Sequence, residues 1–458
     1  MAKHRLSLWG GPLLAVVLYL FASSLDLGGA ASWTAAVTGV CVVWWIFEPV
    51  PIPVTSLLPI AVFPLVGVLS KEQVAQAYGS SLILLLLGGF ILSKAMEYSG
   101  AHKRLALYMI RLVGGGSSRR VVFGFMLAAA ALSMWISNTA TVLMLLPVAL
   151  AVLAQSEDSD LALPLMLGVA YAASVGGMGT PIGTTPNLVF MDVYRQQFGK
   201  ELGFVSWMAI AMPVVAFLIP LIALWLTRNL RHRGALVLPA LGAWSLHEKR
   251  VLTVFALTAL AWVTRKEPFG GWSDWFNLPG ANDASVALIA CIAMFVIPNG
   301  KSGGLLNWQK AVDIHWGVLL LFAGGLCIAK AFDHSGLGQA MASLLTVLQS
   351  VPLFGLLLAL CLFVTFLTET TSNTASAALL LPILAAAASG IGVDAQVLML
   401  PAVLSASCAF MLPVATAPNA IVFAGGHVTT QQMAREGLVL NLCGSVLIAS
   451  YFYLRFST

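Results

Sequence analysis

Long apolar stretches constrain the fold of this chain more than any other feature of its sequence. Residues 206–227, 284–298 and 436–454 carry at most one charged side chain each, and about 20 apolar residues are enough to cross a bilayer as an α-helix. Only 9% of all residues are charged, against roughly 25% in soluble domains. We therefore predict an all-α polytopic membrane protein, with the lipid bilayer as its surroundings.

The positive charges predict how the chain crosses the membrane. Lysine and arginine cluster in three places, namely Lys3 and Arg5; Lys103, Arg104, Arg111, Arg119 and Arg120; and Arg228, Arg231, Arg233, Lys249 and Arg250. Two apolar blocks, 121–153 and 353–388, are interrupted by polar residues. All three clusters can face the cytoplasm only if each of these blocks enters and leaves the membrane on the same side. We predict about eleven transmembrane helices plus two re-entrant helical hairpins in the cell's inner (plasma) membrane, with a cytoplasmic N-terminus and an external C-terminus.

The second half of the sequence repeats motifs of the first half in the same order. "GGFILSKAMEYSG" at 88–100 matches "GGLCIAKAFDHSG" at 324–336, and "TPN" at 185–187 matches "APN" at 417–419. An odd number of predicted crossings separates the copies, so the two repeats are expected to be inverted, as in many secondary transporters. The predicted segments are an N-terminal helix, 1–32; a first inverted repeat, 33–230, with hairpin 121–153 and unwound loop 176–187; a linker with an extra helix, 231–283; and a second inverted repeat, 284–458, with hairpin 353–388 and unwound loop 413–419.

A polar triplet interrupts each predicted hairpin. Ser137-Asn138-Thr139 stands between apolar runs, and Ser372-Asn373-Thr374 recurs 235 residues later. A helix break inside the membrane offers free N–H groups, which attract anions, and free carbonyl and hydroxyl oxygens, which attract small cations. Asparagine can bind an anion through its amide N–H groups and a cation through its side-chain carbonyl oxygen. The triplets predict a site where an anion and a cation bind side by side; close packing of small polar residues is the alternative.

Each half also contains an apolar span broken by glycine or proline. In "SVGGMGTPIGTTPN" at 174–187 the glycines permit close backbone approach, and Pro181 and Pro186 interrupt the helix. "FMLPVATAPN" at 410–419 is the counterpart in the second half. We expect the two hairpin tips and the two unwound loops to meet.

The remaining polar residues argue against other functions. The broken segments contain no Ser–His or Ser–Lys pair, no paired aspartates and no HExxH motif, so an intramembrane hydrolase is disfavoured. Glu369 and Glu48 are candidate intramembrane carboxylates, or helix-end residues that bond the backbone.

A channel is a further alternative, although channel filters usually lie on an axis between subunits. No basic patch interleaved with aromatic residues predicts a nucleic-acid partner, and the six cysteines lie in apolar segments without metal-ligand spacing.

Several motifs closely resemble those of the divalent anion:sodium symporter (DASS) family, the INDY-like di- and tricarboxylate transporters. They are "SNTA" in both hairpins, "GTPIGTTPN", "FLTETTSNTASAALLLP" and "CAFMLPVATAPNAIVF", and the likeness extends in order over nearly the whole chain. The resemblance implies a homodimer in which each protomer has a scaffold domain and a transport domain that moves like an elevator. It also implies Na⁺ as the coupling ion and a small di- or tricarboxylate as substrate.

The same resemblance implies which residues bind. Sodium site 1 would use Ser133, Ser137, Asn138 and Gly183, and sodium site 2 would use Thr368, Thr371, Asn373 and Ala415. The substrate carboxylates would meet Ser137, Asn138, Thr139 and Thr184 from the first half, and Ser372, Asn373, Thr374 and Thr416 from the second. No catalytic residue is predicted.

Two positions depart from the family's pattern. Thr185 stands where dicarboxylate-transporting relatives can have proline, and Ala417 stands where a second proline is usual. Segments 133–141, 176–187, 368–376 and 413–419 contain no lysine or arginine that could replace bound cations. The prediction is sodium-coupled symport of C4-dicarboxylates (succinate, malate, fumarate) into the cell by an elevator mechanism. The alternative is a di- or tricarboxylate exchanger, or a sulfate carrier, of the same fold.

Overall fold

The fold is built from helices throughout the part of the chain that the structure describes. This computed structural model describes residues 2–113, 117–156, 158, 160–230, 242–266, 271–344 and 351–457. Within these ranges there is no strand, only an isolated antiparallel bridge between Pro298 and Gly304. The helices of the described residues are α1 Ala2–Ser24, α2 Gly29–Phe47, α3 Ile52–Thr55, α4 Leu57–Leu65, α5 Lys71–Tyr78, α6 Ser81–Ser99, α7 Ala101–Val113, α8 Ser118–Ser133, α9 Asn138–Ala154, α10 Ala162–Gly177, α11 Thr185–Phe198, α12 Phe204–Leu226, α13 Leu246–Val263, α14 Gly271–Trp275, α15 Asp283–Val296, α16 Trp308–Ala311, α17 Trp316–His334, α18 Leu337–Leu344, α19 Leu353–Thr368, α20 Asn373–Ile391, α21 Ala395–Ser405, α22 Ala417–Ala424 and α23 Thr430–Ser457.

Several of these helices are long and apolar enough to cross a bilayer. Among the described residues, seven stretches meet that requirement: Ser7–Ser24, Gly29–Phe47, Lys71–Ser99, Phe204–Leu226, Trp316–His334, Asn373–Ile391 and Thr430–Ser457. Shorter apolar helices, including α9, α10 and α19, add to them. The prediction of an all-α, multi-pass membrane protein is thereby confirmed. The predicted count of about eleven crossings stays a prediction.

Both polar-interrupted blocks break at their serine. In the first block α8 ends at Ser133 and α9 begins at Asn138, with Ser137 as its N-cap. The Ser137 hydroxyl accepts a hydrogen bond from the N–H of Ala140 at 3.1 Å. In the second block Ser372 caps α20 in the same way. Serine is favoured at this position because its side chain satisfies an N–H that has no partner within the helix. The local sequence therefore determines where each block breaks.

Asparagine side chains support both unwound loops. Helix α10 ends at Gly177 and α11 begins at Thr185. The Asn187 amide donates to the carbonyls of Gly177 at 3.0 Å and Thr180 at 2.8 Å. In the second half the Asn419 amide donates to the carbonyls of Ala409 and Leu412, each at 3.0 Å. These bonds satisfy carbonyls that the helix breaks leave without helical partners.

The two halves contact each other at these breaks. Helix α11 of the first half packs against α20 and α21 of the second half, and α22 of the second half packs against α9 and α10 of the first. At Gly176 a Cβ atom would collide with the backbone of Ala130, so α10 can lie this close to α8 only with glycine there. Each unwound loop thus lies beside elements of the opposite half.

The segment predicted as a linker, 231–283, contains two described helices. Helices α13 and α14 fall within it, and α13 packs against α15 and α6. Residues 231–241 and 267–270, with Arg231 and Arg233 of the third basic cluster, lie outside the described residues. The domain boundaries themselves stay a prediction.

Candidate functional site

Oxygen atoms converge from the break between α8 and α9, called the first tip, and from the loop between α10 and α11, called the first unwound loop. The Ser133 hydroxyl donates to the Asn138 side-chain oxygen across the helix break. A Cβ on Gly177 would lie 2.8 Å from that Asn138 oxygen and 3.0 Å from the Gly183 carbonyl oxygen. Ser133, Asn138 and Gly183, three residues predicted for sodium site 1, are therefore brought together. Carbonyl and hydroxyl oxygens beside unwound helices are the ligands that Na⁺ sites in transporters use.

The break between α19 and α20, called the second tip, has a similar arrangement. The Thr368 hydroxyl donates to the Asn373 side-chain oxygen, as Ser133 does to Asn138. It also lies 3.0 Å from the Ala406 carbonyl oxygen. The Thr371 hydroxyl, predicted for sodium site 2, shares a 2.6 Å hydrogen bond with Ser376. Ala415 is buried in the second loop, but the hydrogen bonds of the described residues do not join it to this tip.

A cavity of about 170 Å³ lies beside the first tip. It is lined by tip residues Trp135, Ile136, Ser137, Asn138 and Thr139, by loop residues Ile182, Gly183, Thr184 and Thr185, by Leu86, Gly89, Phe90 and Ser93 of α6, and by His315 and Val318 at the start of α17. All four substrate-binding residues predicted from the first half line this one cavity. They do so next to the oxygens of predicted sodium site 1.

The four substrate-binding residues predicted from the second half, Ser372, Asn373, Thr374 and Thr416, do not line this cavity. One direct hydrogen bond connects the second tip to it, between the hydroxyls of Thr374 and the lining residue Thr185. The structure therefore places the second tip behind the wall of the cavity, in contact through Thr185.

The threonines that precede α11 and α22 differ in their bonding. Thr416 caps α22 by accepting a hydrogen bond from the N–H of Asn419 at 3.2 Å. Thr184 occupies the N-cap position of α11 but makes no side-chain cap bond. Thr184 and the first residue of α11, Thr185, both line the cavity. A helix N-terminus of this kind favours a carboxylate because its N–H groups and dipole attract negative charge.

Glu369 holds the second unwound loop. Its buried carboxylate accepts hydrogen bonds from the backbone N–H groups of Met411 at 2.8 Å and Leu412 at 2.9 Å. The Asn441 side-chain amide of α23 donates to the same carboxylate at 2.7 Å. The sequence allowed two interpretations of Glu369, a functional intramembrane carboxylate or a helix-end residue that bonds the backbone. This geometry fits the second interpretation. Glu48 has left-handed backbone (φ 46°) and caps the end of α2, outside the cavity.

Sequence reasoning missed two supports of the second loop. Tyr171 of α10 donates its hydroxyl to the Phe410 carbonyl at 2.6 Å. The Asn441 side-chain oxygen accepts from the N–H of Phe410 at 3.3 Å. Both residues are fully buried polar side chains that lie within apolar stretches of their helices. Isolation in an apolar helix is the only signal that the sequence offered for them.

Replacing Glu369 tests this support. In Glu369→Gln one backbone N–H would face an amide NH₂ instead of an oxygen, so a buried donor loses its acceptor. We expect the free energy of unfolding to fall by about 1–3 kcal/mol, seen as a lower thermal unfolding midpoint of the purified protein. Glu72→Gln is the matched control, because the Glu72 side chain is 65% exposed. Equal midpoints for the two variants would contradict the supporting role of Glu369.

The site contains oxygen ligands without basic side chains. The tip and loop segments are fully described, and they hold no lysine or arginine. The described residues also contain no cluster of three or more His, Cys, Asp or Glu side chains that could bind a metal ion. The carbonyl and hydroxyl oxygens of this site are suited to coordinate a hard cation such as Na⁺. The helix N-termini are suited to bind an anion.

Solved transporter structures share this fold. The YdaH transporter of Alcanivorax borkumensis matches with a TM-score of 0.56 at 15% identity, over 86% of this chain and 88% of that chain. MtrF of Neisseria gonorrhoeae, described as an antimetabolite efflux pump, matches with a TM-score of 0.60 at 14% identity, over 85% and 83%. At such identities the likeness shows the fold alone.

Sequence comparisons then define the family. A family model described as "Citrate transporter" (CitMHS) matches residues 42–401. The sodium-dependent dicarboxylate transporter SdcS of Staphylococcus aureus, in strains bovine RF122 / ET3-1 and MSSA476 among others, is 38% identical over 97% of this chain and 89% of its own length. The chain therefore belongs to the divalent anion:sodium symporter family that its motifs predicted, and it is a transporter and not an enzyme.

Proposed function

We propose that this protein is a secondary active transporter that carries C4-dicarboxylates such as succinate, malate and fumarate into the cell together with Na⁺. The observation that carries the proposal is the convergence of Ser133, Asn138 and Gly183 oxygens at the edge of the cavity. Na⁺ is the coupling ion, as the name of the relative SdcS also indicates for that protein. The cation and the anion bind side by side at the first tip.

The energetics of import favour this pairing. An inside-negative membrane potential opposes entry of a dianion by about 2.3 kcal/mol per charge for each 100 mV. The tips and loops contain no basic side chain that could compensate the substrate's charge. Bound Na⁺ ions compensate that charge. When more than two Na⁺ ions accompany each dianion, the transported charge is net positive, and the membrane potential therefore drives uptake inward.

The same proposal extends to the architecture. The two halves are inverted repeats, and each contributes one re-entrant hairpin (α8–α9 and α19–α20) and one unwound loop. The matching Ser133–Asn138 and Thr368–Asn373 hydrogen bonds support this equivalence. The hairpins and loops belong to a transport domain that moves like an elevator against a scaffold domain, and two scaffolds form the homodimer. The substrate meets Ser372, Asn373, Thr374 and Thr416 of the second half when the domain closes around it.

The cavity lies at the middle of α6, because its wall includes Leu86, Gly89, Phe90 and Ser93. The second half of α6 leads to the basic cluster at 103–120 and hence to the cytoplasm. At the other end of α6, Ser80 donates to the Asp192 carboxylate at 3.1 Å and Arg195 donates to Ser81 at 2.7 Å. These contacts hold α11 against α6 on the external side.

Sodium-driven uptake tests the proposed function. Purified protein is reconstituted into empty vesicles, and uptake of labelled succinate is measured with an inward Na⁺ gradient and with K⁺ in its place. We expect accumulation only with Na⁺. Competition by malate, fumarate, citrate and sulfate then ranks the substrates; citrate is the second candidate because the matching family model is described as a citrate transporter. Uptake that requires preloaded dicarboxylate and ignores Na⁺ would replace symport by exchange.

A further inference from the structure

Thr185 belongs both to the cavity wall and to the contact between the two halves of the chain. Thr185 is the first residue of α11 and lines the cavity next to Thr184. Its hydroxyl forms a hydrogen bond with the hydroxyl of Thr374, the second residue of α20 at the second tip. Thr374 is 9% exposed. The side chain of Thr185 therefore separates the cavity from the second tip while bonding to it.

The second half has no counterpart of this contact. Ala417 is the first residue of α22, as Thr185 is of α11, and it carries no hydroxyl. The preceding Thr416 uses its hydroxyl to cap α22, whereas Thr184 does not cap α11. The hydroxyl groups around the cavity are thus distributed unequally between halves that otherwise repeat each other. The contact is a property of position 185 and not of the repeat.

We propose that Thr185 is a specificity-determining residue that restricts the site to short dicarboxylates by holding Thr374 of the second tip against the first unwound loop. This inference rests on the proposed function. The two tips bind the two ends of the acid, so the distance between the tips sets the length of carbon chain that reaches both. The Thr185–Thr374 hydrogen bond keeps that distance short.

The hydroxyl pair also presents a donor to the substrate. A threonine hydroxyl has one O–H donor and two acceptor lone pairs. When one hydroxyl of the pair donates to the other, the second keeps its own O–H free. A substrate carboxylate at the cavity wall accepts that remaining O–H without breaking the pair. Thr185 therefore positions Thr374 and contributes to the polar wall of the cavity at the same time.

Two variants of position 185 test the proposal. Thr185→Val keeps the shape of the side chain and removes the hydroxyl; Thr185→Ser keeps the hydroxyl and serves as the matched control. We expect Thr185→Val to raise the KM for succinate by roughly two- to tenfold, the range for loss of one hydrogen bond, with a smaller change in kcat. The ratio of kcat/KM for citrate to that for succinate should rise, and Thr185→Ser should keep the wild-type ratio.

A second substitution shows whether Thr185 acts through Thr374. In a Thr374→Val background, Thr185→Val should raise the succinate KM by a smaller factor than it does in the wild type, because the bond between the two hydroxyls is already lost. Full additivity of the two substitutions would overturn the proposal. Thr185→Ala removes the same hydroxyl without a branched side chain, and it replaces Thr185→Val if that variant does not elute as a folded protein from size exclusion.

The outcome is distinguishable from failure of the proposed function. Wild-type protein that takes up no succinate under any sodium gradient contradicts the proposed function. Wild-type protein that transports succinate, with Thr185→Val unchanged in both succinate KM and the citrate-to-succinate ratio, overturns the role of Thr185 alone. In that case the wall at position 185 acts only by its shape.

Discussion

Sodium-driven succinate uptake falls to the level of protein-free vesicles in Asn138→Ala and in Asn373→Ala, while both variants stay folded. Each asparagine begins the helix after its tip and accepts a hydrogen bond through its side-chain oxygen, from Ser133 and from Thr368 respectively. Alanine removes that oxygen and the amide that can bind a carboxylate. We therefore expect sodium and substrate binding to be lost together at each tip.

The control for this prediction is Asn229→Ala, an asparagine exposed in the turn after α12. It should keep wild-type uptake. Size exclusion and thermal unfolding of all three variants separate loss of binding from loss of fold. Wild-type uptake in either tip variant would show that its asparagine does not belong to the site.

Gly183→Ala is expected to abolish uptake because the added Cβ displaces the backbone of the first unwound loop. A Cβ at position 183 would lie 2.5 Å from the carbonyl oxygen of Gly177 and 3.0 Å from its Cα, closer than real Cβ contacts. Because both of these atoms belong to the backbone, a change of rotamer cannot relieve the clash, and the loop between α10 and α11 has to move. The Gly183 carbonyl then leaves the Asn138 oxygen, and sodium site 1 is lost.

The matched control is Gly355→Ala in α19, where a Cβ meets nothing within 4 Å. Alanine is favoured over glycine inside a helix by up to about 1 kcal/mol, so this variant should keep full uptake and equal or greater thermal stability. If Gly183→Ala transported with wild-type sodium dependence, the close approach of Gly177 and Gly183 would not matter for function.

The two unwound loops differ in the contacts that support them. The first is rich in glycine, and Gly177 and Gly183 approach each other closely. The second has further side-chain hydrogen bonds, through Glu369, Asn441 and Tyr171. We infer that substitutions harm the first loop mainly by added bulk, and the second mainly by lost hydrogen bonds.

The sequence predicted those features whose causes are local. Apolar runs predicted the membrane helices, and the polar triplets predicted the helix breaks, which Ser137 and Ser372 cap. The asparagines that follow the prolines, Asn187 and Asn419, were noticed as repeated motifs. Their bonds to the loop carbonyls follow from the short distance along the chain, 10 residues or fewer.

The contacts that the sequence did not predict join residues far apart in the chain. Tyr171 meets Phe410, 239 residues away, and Glu369 meets Met411 at a separation of 42. Thr185 and Thr374 are 189 residues apart. Such pairs depend on how helices of the two halves pack against each other, and neither hydrophobic periodicity nor capping signals contain that information. Position 185 was noticed only as a departure from a family pattern.

Reciprocal binding of sodium and succinate tests the central claim most directly. Because the oxygens of Ser133 and Asn138 lie at the edge of the cavity, each ligand should raise the affinity for the other by the same factor. In detergent-purified protein we expect Na⁺, but not K⁺ or choline, to lower the Kd of succinate by roughly 5- to 150-fold, and succinate to lower the apparent Kd of Na⁺ equally. Succinate binding that is unchanged between Na⁺ and choline would contradict a shared site.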